Sequence, residues 1–215
     1  MNMKRREFSL GAAAGAAIAS STLFASLASA QAAKPVGGKD YQILDQRAPV
    51  EAPAGSVEVV EFFSYMCHVC NAFEPTFNAW TKSPPKAVVV RRIPVPFLQN
   101  FELMQRLYFA LDAMNLVDKL HASVFAALHV ERRKLSDAAT IADWVAAQGV
   151  DRSKFMAQFN SFTTATKTTR AKQLTDIYAI DGVPMLGVAG RFLTQGSAKG
   201  LQIVEALVAD IKAGR

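Results

Sequence analysis

Two cysteines stand three positions apart in the segment VEVVEFFSYMCHVCNAFEP, residues 57–75, and the chain has no others. Close-spaced thiols do one of three things: they ligate a metal, they staple a fold, or they exchange electrons. A structural zinc site needs four Cys, His or carboxylate ligands, often as two C-x-x-C halves. Here Cys67-His68-Val69-Cys70 is the single half. The other histidines, His121 and His129, fall in a distant amphipathic stretch and read as surface or helix-face residues. A c-type haem would need His directly after Cys70, but residue 71 is Asn, and an iron–sulfur cluster lacks its other thiolates. A disulfide across two residues closes almost no loop, so in the chain-entropy model it would stabilise little. A redox dithiol is the reading that remains, and it calls for no metal and no cofactor.

Such chemistry needs one accessible sulfur and one hidden one, and the flanking elements are suited to provide them. Val57, Val59, Val60, Phe62 and Phe63 form a β-branched and aromatic run that reads as a buried strand. Residues 72–80 read as a helix with Phe73, Phe77 and Trp80 on one face and a kink at Pro75. Cys67 then lies near a helix N-terminus, where unpaired N–H groups and the positive end of the dipole favour a thiolate. Cys67 is expected as the exposed nucleophile and Cys70, one turn inside, as the buried resolving thiol. His68 is either a solvated first-turn residue or an electrostatic partner of Cys67. Glu61, inside the apolar strand run, either reaches solvent at a sheet end or is a desolvated carboxylate that takes the proton of Cys70. Glu74 reads as a helix-face charge near Cys67.

The chain opens MNMKRREFSLGAAAGAAIASSTLFASLASA, a basic head and an apolar small-residue run that closes on Ala28-Ser29-Ala30. This is the pattern of a cleaved secretory signal over residues 1–30 rather than a retained transmembrane helix. Arg5-Arg6-Glu7-Phe8-Ser9-Leu10 also resembles a twin-arginine signal, with Ser9 at an apolar position, so either export route fits. The signal carries three basic residues and one acid; against 24 Lys+Arg and 18 Asp+Glu in the whole chain, the mature part keeps net +4. That mild, scattered charge argues against nucleic acid, and no DNA or RNA motif is present. Residues 31–39 read as a loose leader.

Further strands are expected at 41–44, 87–93, 185–188 and 191–193, with the last two joined by a tight turn. Between them the period switches to helical from about Phe101. One face carries Leu103, Leu107, Ala110, Leu111 and Met114, and another Val117, Leu120, Val124 and Leu128. A third helix is capped by Ser136 or Asp137 and stopped by Gly149; a short fourth holds Phe155 and Phe159, and a longer polar-faced one spans 165–179. Leu201, Val204, Leu207, Val208 and Ile211 mark a closing helix.

Three features resemble the DsbA family of periplasmic thiol:disulfide oxidoreductases. Glu61-Phe62-Phe63-Ser64-Tyr65-Met66-Cys67-x-x-Cys70, with Phe73-Glu74 following, is similar to the family's active-site segment. Gly182-Val183-Pro184, an apolar strand and the turn Ala189-Gly190-Arg191 resemble its cis-proline loop and hairpin. The spacing of 114 positions from Cys70 to Pro184 leaves room for its helical insertion. The resemblance implies an α/β protein, a thioredoxin fold built from 40–97 and 171–215, with an all-α insertion at 98–170. It implies a cis Val183-Pro184 loop that binds an extended substrate chain opposite the redox-active Cys67–Cys70 disulfide; by residue type alone, Pro184 is an ordinary trans turn. It further implies a monomer that oxidises reduced, unfolded secreted proteins in the periplasm and is itself reoxidised by a membrane quinone-linked partner of the DsbB type. A reductase or isomerase of the same fold is the nearest rival, and a peptide-binding holdase with incidental thiols the rival from another class. The isomerases known in this compartment add a dimerisation domain, for which no segment is left over. The family archetype has Pro-His between its cysteines where this chain has His68-Val69, so the archetype's potential of about −120 mV does not transfer. Its gap to thioredoxin at about −270 mV is roughly 7 kcal/mol, whereas a helix terminus supplies ~0.3–2 kcal/mol. Direct N–H···S bonds and His68 must add the rest.

Overall fold

Seven consecutive buried residues, Val57–Phe63, form strand β2 at the middle of the sheet. A strand buried on both faces is what the unbroken β-branched and aromatic run demands. The computed structural model describes residues 34–215, so the predicted signal lies outside the described residues. In chain order the elements are β1 (Gln42–Ile43), β2, α1 (His68–Thr81), β3 (Val88–Pro94), α2 (Phe101–Ala113), α3 (Val117–His129), α4 (Ala138–Ala147), α5 (Arg152–Phe159), α6 (Phe162–Ile177), β4 (Met185–Val188), β5 (Phe192–Gln195) and α7 (Ala198–Lys212). The sheet order is β1-β5-β4-β2-β3. Only β2 and β3 run parallel; β2–β4, β4–β5 and β1–β5 are antiparallel. The parallel pair is connected through α1, as a crossover requires.

Alternation along β2 builds two apolar layers. Val57 and Val59 join Phe73 and Phe77 of α1, Leu186 and Val188 of β4, and Leu201, Val204 and Val208 of α7. Val60 and Phe62 join the core of the helical block, with Leu107, Leu111, Val124, Ile141, Phe155 and Tyr178. Gly187 in β4 is matched to this packing, because a Cβ there would lie 2.5 Å from the Tyr178 ring. The β4–β5 hairpin turns through Ala189 and Gly190 at φ 54° and 65°, and the Arg191 N–H closes on the Val188 carbonyl at 3.0 Å.

The helices follow their caps. Asp137 accepts the Thr140 N–H at 2.8 Å and completes a capping box, and Gly149 at φ +82° follows the C-terminus of α4. The last helix of the block starts earlier than expected, at Phe162 rather than 165, because Ser161 accepts the Thr164 N–H and caps it. It runs unbroken through position 170, where the helical insertion was expected to end. Residues 34–39 of the expected leader are described, and they enter a turn. Val36 N–H donates to the Asp40 carboxylate at 3.0 Å, and Gly38 and Tyr41 close the same turn at 2.8 Å. Among the described residues no helix is long and apolar enough to cross a membrane.

Candidate active site

The chain leaves β2 at Phe63, turns through Ser64–Met66, and enters α1 with Cys67 as the N-cap residue. Its extended backbone (φ −93°, ψ 116°) puts a sulfur where Ser, Thr or Asp usually sits, and Sγ accepts the Cys70 N–H at 3.3 Å. Both cysteines carry free thiols. Cys70 is 1 % exposed and Cys67 9 %, so both are buried and the expectation of an exposed Cys67 is corrected. It is covered by the Val183–Pro184 loop: the Cys67 thiol donates to the Val183 carbonyl at 3.5 Å. Burial above all, and then the hydrogen bond with Cys67, push the Cys70 thiol far up from its ordinary range. The Val183–Pro184 peptide is cis. Gly196 lies against it, its N–H donating to the Pro184 carbonyl at 2.9 Å, and a Cβ at that position would approach the Pro184 Cβ to 2.6 Å. His68 and Val69 are exposed, and among the described residues no hydrogen bond joins the His68 ring to either sulfur.

Glu61 is buried, so the sheet-end reading of this residue fails. Its register partner on β3 is Arg92, whose Nε donates to Glu61 at 2.9 Å. The same guanidinium donates to Glu74 at 3.2 Å and lies over the Phe77 ring. Burial raises the Glu61 carboxyl to about 7; Arg92 opposes the rise and the Glu74 charge adds to it. Glu74 is no surface charge either, at 5 % exposure. Pro75 lies inside α1 as expected.

The sequence reads His121 and His129 as surface or helix-face residues; both lie on α3, and its inner face brings them to the active-site segment. His121 is buried, its Nδ1 2.7 Å from the Tyr65 hydroxyl. His129 Nε2 donates to the Tyr65 backbone carbonyl at 2.8 Å. Two turns apart on α3, with Phe125 between them, they hold both ends of the residue that stands two before Cys67. Their i, i+4, i+8 alignment with Phe125 was a readable signal of a shared buried face. Glu61, Glu74 and His121 each bring a donor atom within 4.8 Å of the others. Arg92 already supplies the positive charge between the two carboxylates, so this triad does not fit a metal.

A strand–turn–helix with a buried thiol pair against a cis-proline loop is matched by a family model. The DSBA-like thioredoxin domain aligns with residues 58–211. The chain belongs to the DsbA family. It is 39 % identical over 201 residues to the thiol:disulfide interchange protein DsbA of Bordetella parapertussis, covering 91 % of this chain and 93 % of that protein. It is 40 % identical over 172 residues to the protein of that name from Burkholderia cepacia, covering 80 % and 81 %. The crystal structure of Pseudomonas aeruginosa DsbA superimposes with a TM-score of 0.79 at 32 % identity, covering 84 % of this chain and 96 % of that one. That of the Xylella fastidiosa oxidoreductase DsbA gives 0.78 at 29 %, covering 83 % and 98 %. The DsbA relationship thus spans both the sheet and the helical block of this chain.

Proposed function

We propose that this protein is an exported thiol:disulfide oxidoreductase that donates the Cys67–Cys70 disulfide to reduced, unfolded secreted proteins. The observation that carries the reading is the placement of Cys67 as the N-cap of α1, its sulfur accepting the Cys70 N–H and lying against the Val183 carbonyl. A client thiolate attacks Cys67 Sγ, the S–S bond to Cys70 breaks, and Cys70 leaves with the bonding pair. Burial makes a lasting Cys70 thiolate costly, so it takes up a proton, and Glu61 on the strand behind it is the buried acid suited to pass one. The client's second thiolate then attacks its own sulfur in the mixed disulfide and releases Cys67 as thiolate at the helix cap. Two electrons have moved from the client dithiol to the protein. Val183 and Pro184 offer backbone to an extended client chain beside Cys67, and His68 stands exposed next to the nucleophile. The segment at 1–30 directs the chain to the periplasm. There a membrane quinone-linked partner of the DsbB type would reoxidise it, and it would work as a monomer.

The direction of transfer is tested by the potential of the Cys67/Cys70 pair in glutathione buffers. A value above the about −180 mV of protein disulfide isomerase supports the oxidase, and one near the about −270 mV of thioredoxin makes the protein a reductase. A Cys67→Ser, Cys70→Ser double variant that kept full function would point instead to a holdase.

A further inference from the structure

The buried cluster behind Cys70 contains two carboxylates, Glu61 and Glu74, and one guanidinium, Arg92, so with both carboxylates ionised it carries one negative charge in excess. Its fourth polar member, His121, comes from α3 of the helical block. The groups facing the imidazole are Tyr65 from the turn before α1, Glu74 from α1, Arg92 from β3, Glu61 from β2, Tyr108 from α2 and Asp118 from its own helix; Phe63 and Phe125 wall it edge-on at 5.0 and 5.3 Å.

Tyr65 is fully buried, and burial holds its hydroxyl protonated. A protonated phenol can donate or accept, and the other ring nitrogen decides: Nε2 faces a carboxylate oxygen, Glu74 Oε2, which calls for the ring hydrogen there, so the Tyr65 hydroxyl is the donor in the 2.7 Å contact and Nδ1 of His121 the acceptor. A neutral ring that accepts at Nδ1 carries its hydrogen on Nε2. Nε2 is otherwise unpartnered and faces Glu74 Oε2 at 3.4 Å, aligned too poorly for a full hydrogen bond. Protonating the ring would add a hydrogen at Nδ1, against the Tyr65 hydrogen. Burial, the largest influence on this ring, also disfavours the imidazolium.

We infer that His121 is a positioning residue for the thiol reaction: Tyr65 fixes it as the neutral Nε2–H tautomer, whose N–H is turned toward Glu74 rather than Glu61 and so leaves Glu61 as the carboxyl that exchanges a proton with Cys70. The helical block thereby selects which of two neighbouring acids serves the active site. This inference rests on the proposed thiol chemistry and adds a role that no motif around the cysteines contains.

The test reads the side-chain nitrogens of His121 and the glutamate carboxyl carbons by NMR in the folded, reduced protein from pH 5 to 8. Glu61→Gln assigns the Glu61 signal. In the wild type the expected result is an unprotonated Nδ1 across the whole range and a carboxyl transition belonging to Glu61. In His121→Gln that transition moves by about half a pH unit or more. The exchange constant with glutathione at pH 7 also changes at least about threefold. In Tyr65→Phe, which keeps the ring and removes one hydroxyl, His121 itself begins to titrate in the window; this variant decides the matter if His121→Gln does not fold. A ring that titrates or carries its hydrogen on Nδ1 in the wild type overturns the inference. So does an unmoved Glu61 transition in His121→Gln, an unchanged exchange constant, or a Tyr65→Phe ring that stays silent. A reductase-like wild-type potential would refute the oxidase direction while leaving the carboxyl and imidazole readings intact, so the two failures are distinguishable.

Discussion

Replacing Glu61 by glutamine should make the protein more stable, and more so as pH rises. Burial lifts this carboxyl from an ordinary 4.5 to about 7. A raised acid binds its proton more tightly in the folded state than in the unfolded one. Between pH 4.5 and about 7 the folded protein therefore holds more protons than the unfolded chain, and stability falls with rising pH. The fall starts as pH passes the unfolded value and ends above the folded one. At 1.36 kcal/mol per pH unit it amounts to about 3 kcal/mol, a large share of the 5–15 kcal/mol that holds a typical domain. Glutamine keeps an oxygen for the Arg92 Nε but cannot ionise. The assay is urea unfolding of wild type and variant, with reductant present to keep the thiols free, at steps from pH 4.5 to 8. The variant's advantage should grow by about 3 kcal/mol across this range with the m-value unchanged. An advantage that stays flat with pH would show that Glu61 ionises normally in its buried site and would remove it as a proton partner for Cys70.

Mixed with a client whose lone cysteine is held as a glutathione disulfide, Cys70→Ser should accumulate a covalent Cys67–client adduct on non-reducing gels: Cys67 attacks the client sulfur, glutathione leaves as thiolate, and the Cys70 thiol that would then attack Cys67 and expel the client is gone; an adduct on Cys67→Ser instead would reverse the assignment of nucleophile. Arg92→Leu leaves two buried carboxylates without their shared guanidinium. It should cost roughly 3–5 kcal/mol at pH 8 and less at pH 5, below the raised value of Glu61, as read by denaturant unfolding at both pH values. Gly187→Ala sets a Cβ 2.5 Å from the Tyr178 ring and should lower stability by about 1–3 kcal/mol; an unchanged unfolding midpoint would mean that the ring moves freely aside.

What could be read from the chain was what depends on neighbours in sequence. The apolar run before Cys67, the dithiol on the first turn of a helix and the cap at Asp137 are local patterns, and each lies where its pattern put it. The hairpin after Pro184 is likewise local. The partners of Glu61 were not legible, because Arg92 reaches it only through the β2–β3 register, which no local feature of residues 57–63 or 88–94 states. The contact of the two histidines with Tyr65 was hidden for a related reason. The apolar stripe of α3 was drawn through Leu120, Val124 and Leu128, whereas the buried face also takes in His121 and Phe125. A polar ring can enter such a face when a distant hydroxyl awaits it, and Tyr65 is 56 positions away.

Cys67 and Val183 touch across 116 positions of sequence. During synthesis at about 5–20 residues per second, the chain therefore owns both thiols for roughly 6–23 s before the residue that covers Cys67 exists. The helical block, rich in local contacts, can form in that interval, but β4 must still insert beside β2, the long-range pairing that closes slowly. Until then the newborn molecule is an unshielded dithiol on an open sheet edge, chemically closer to a client of disulfide exchange than to its catalyst.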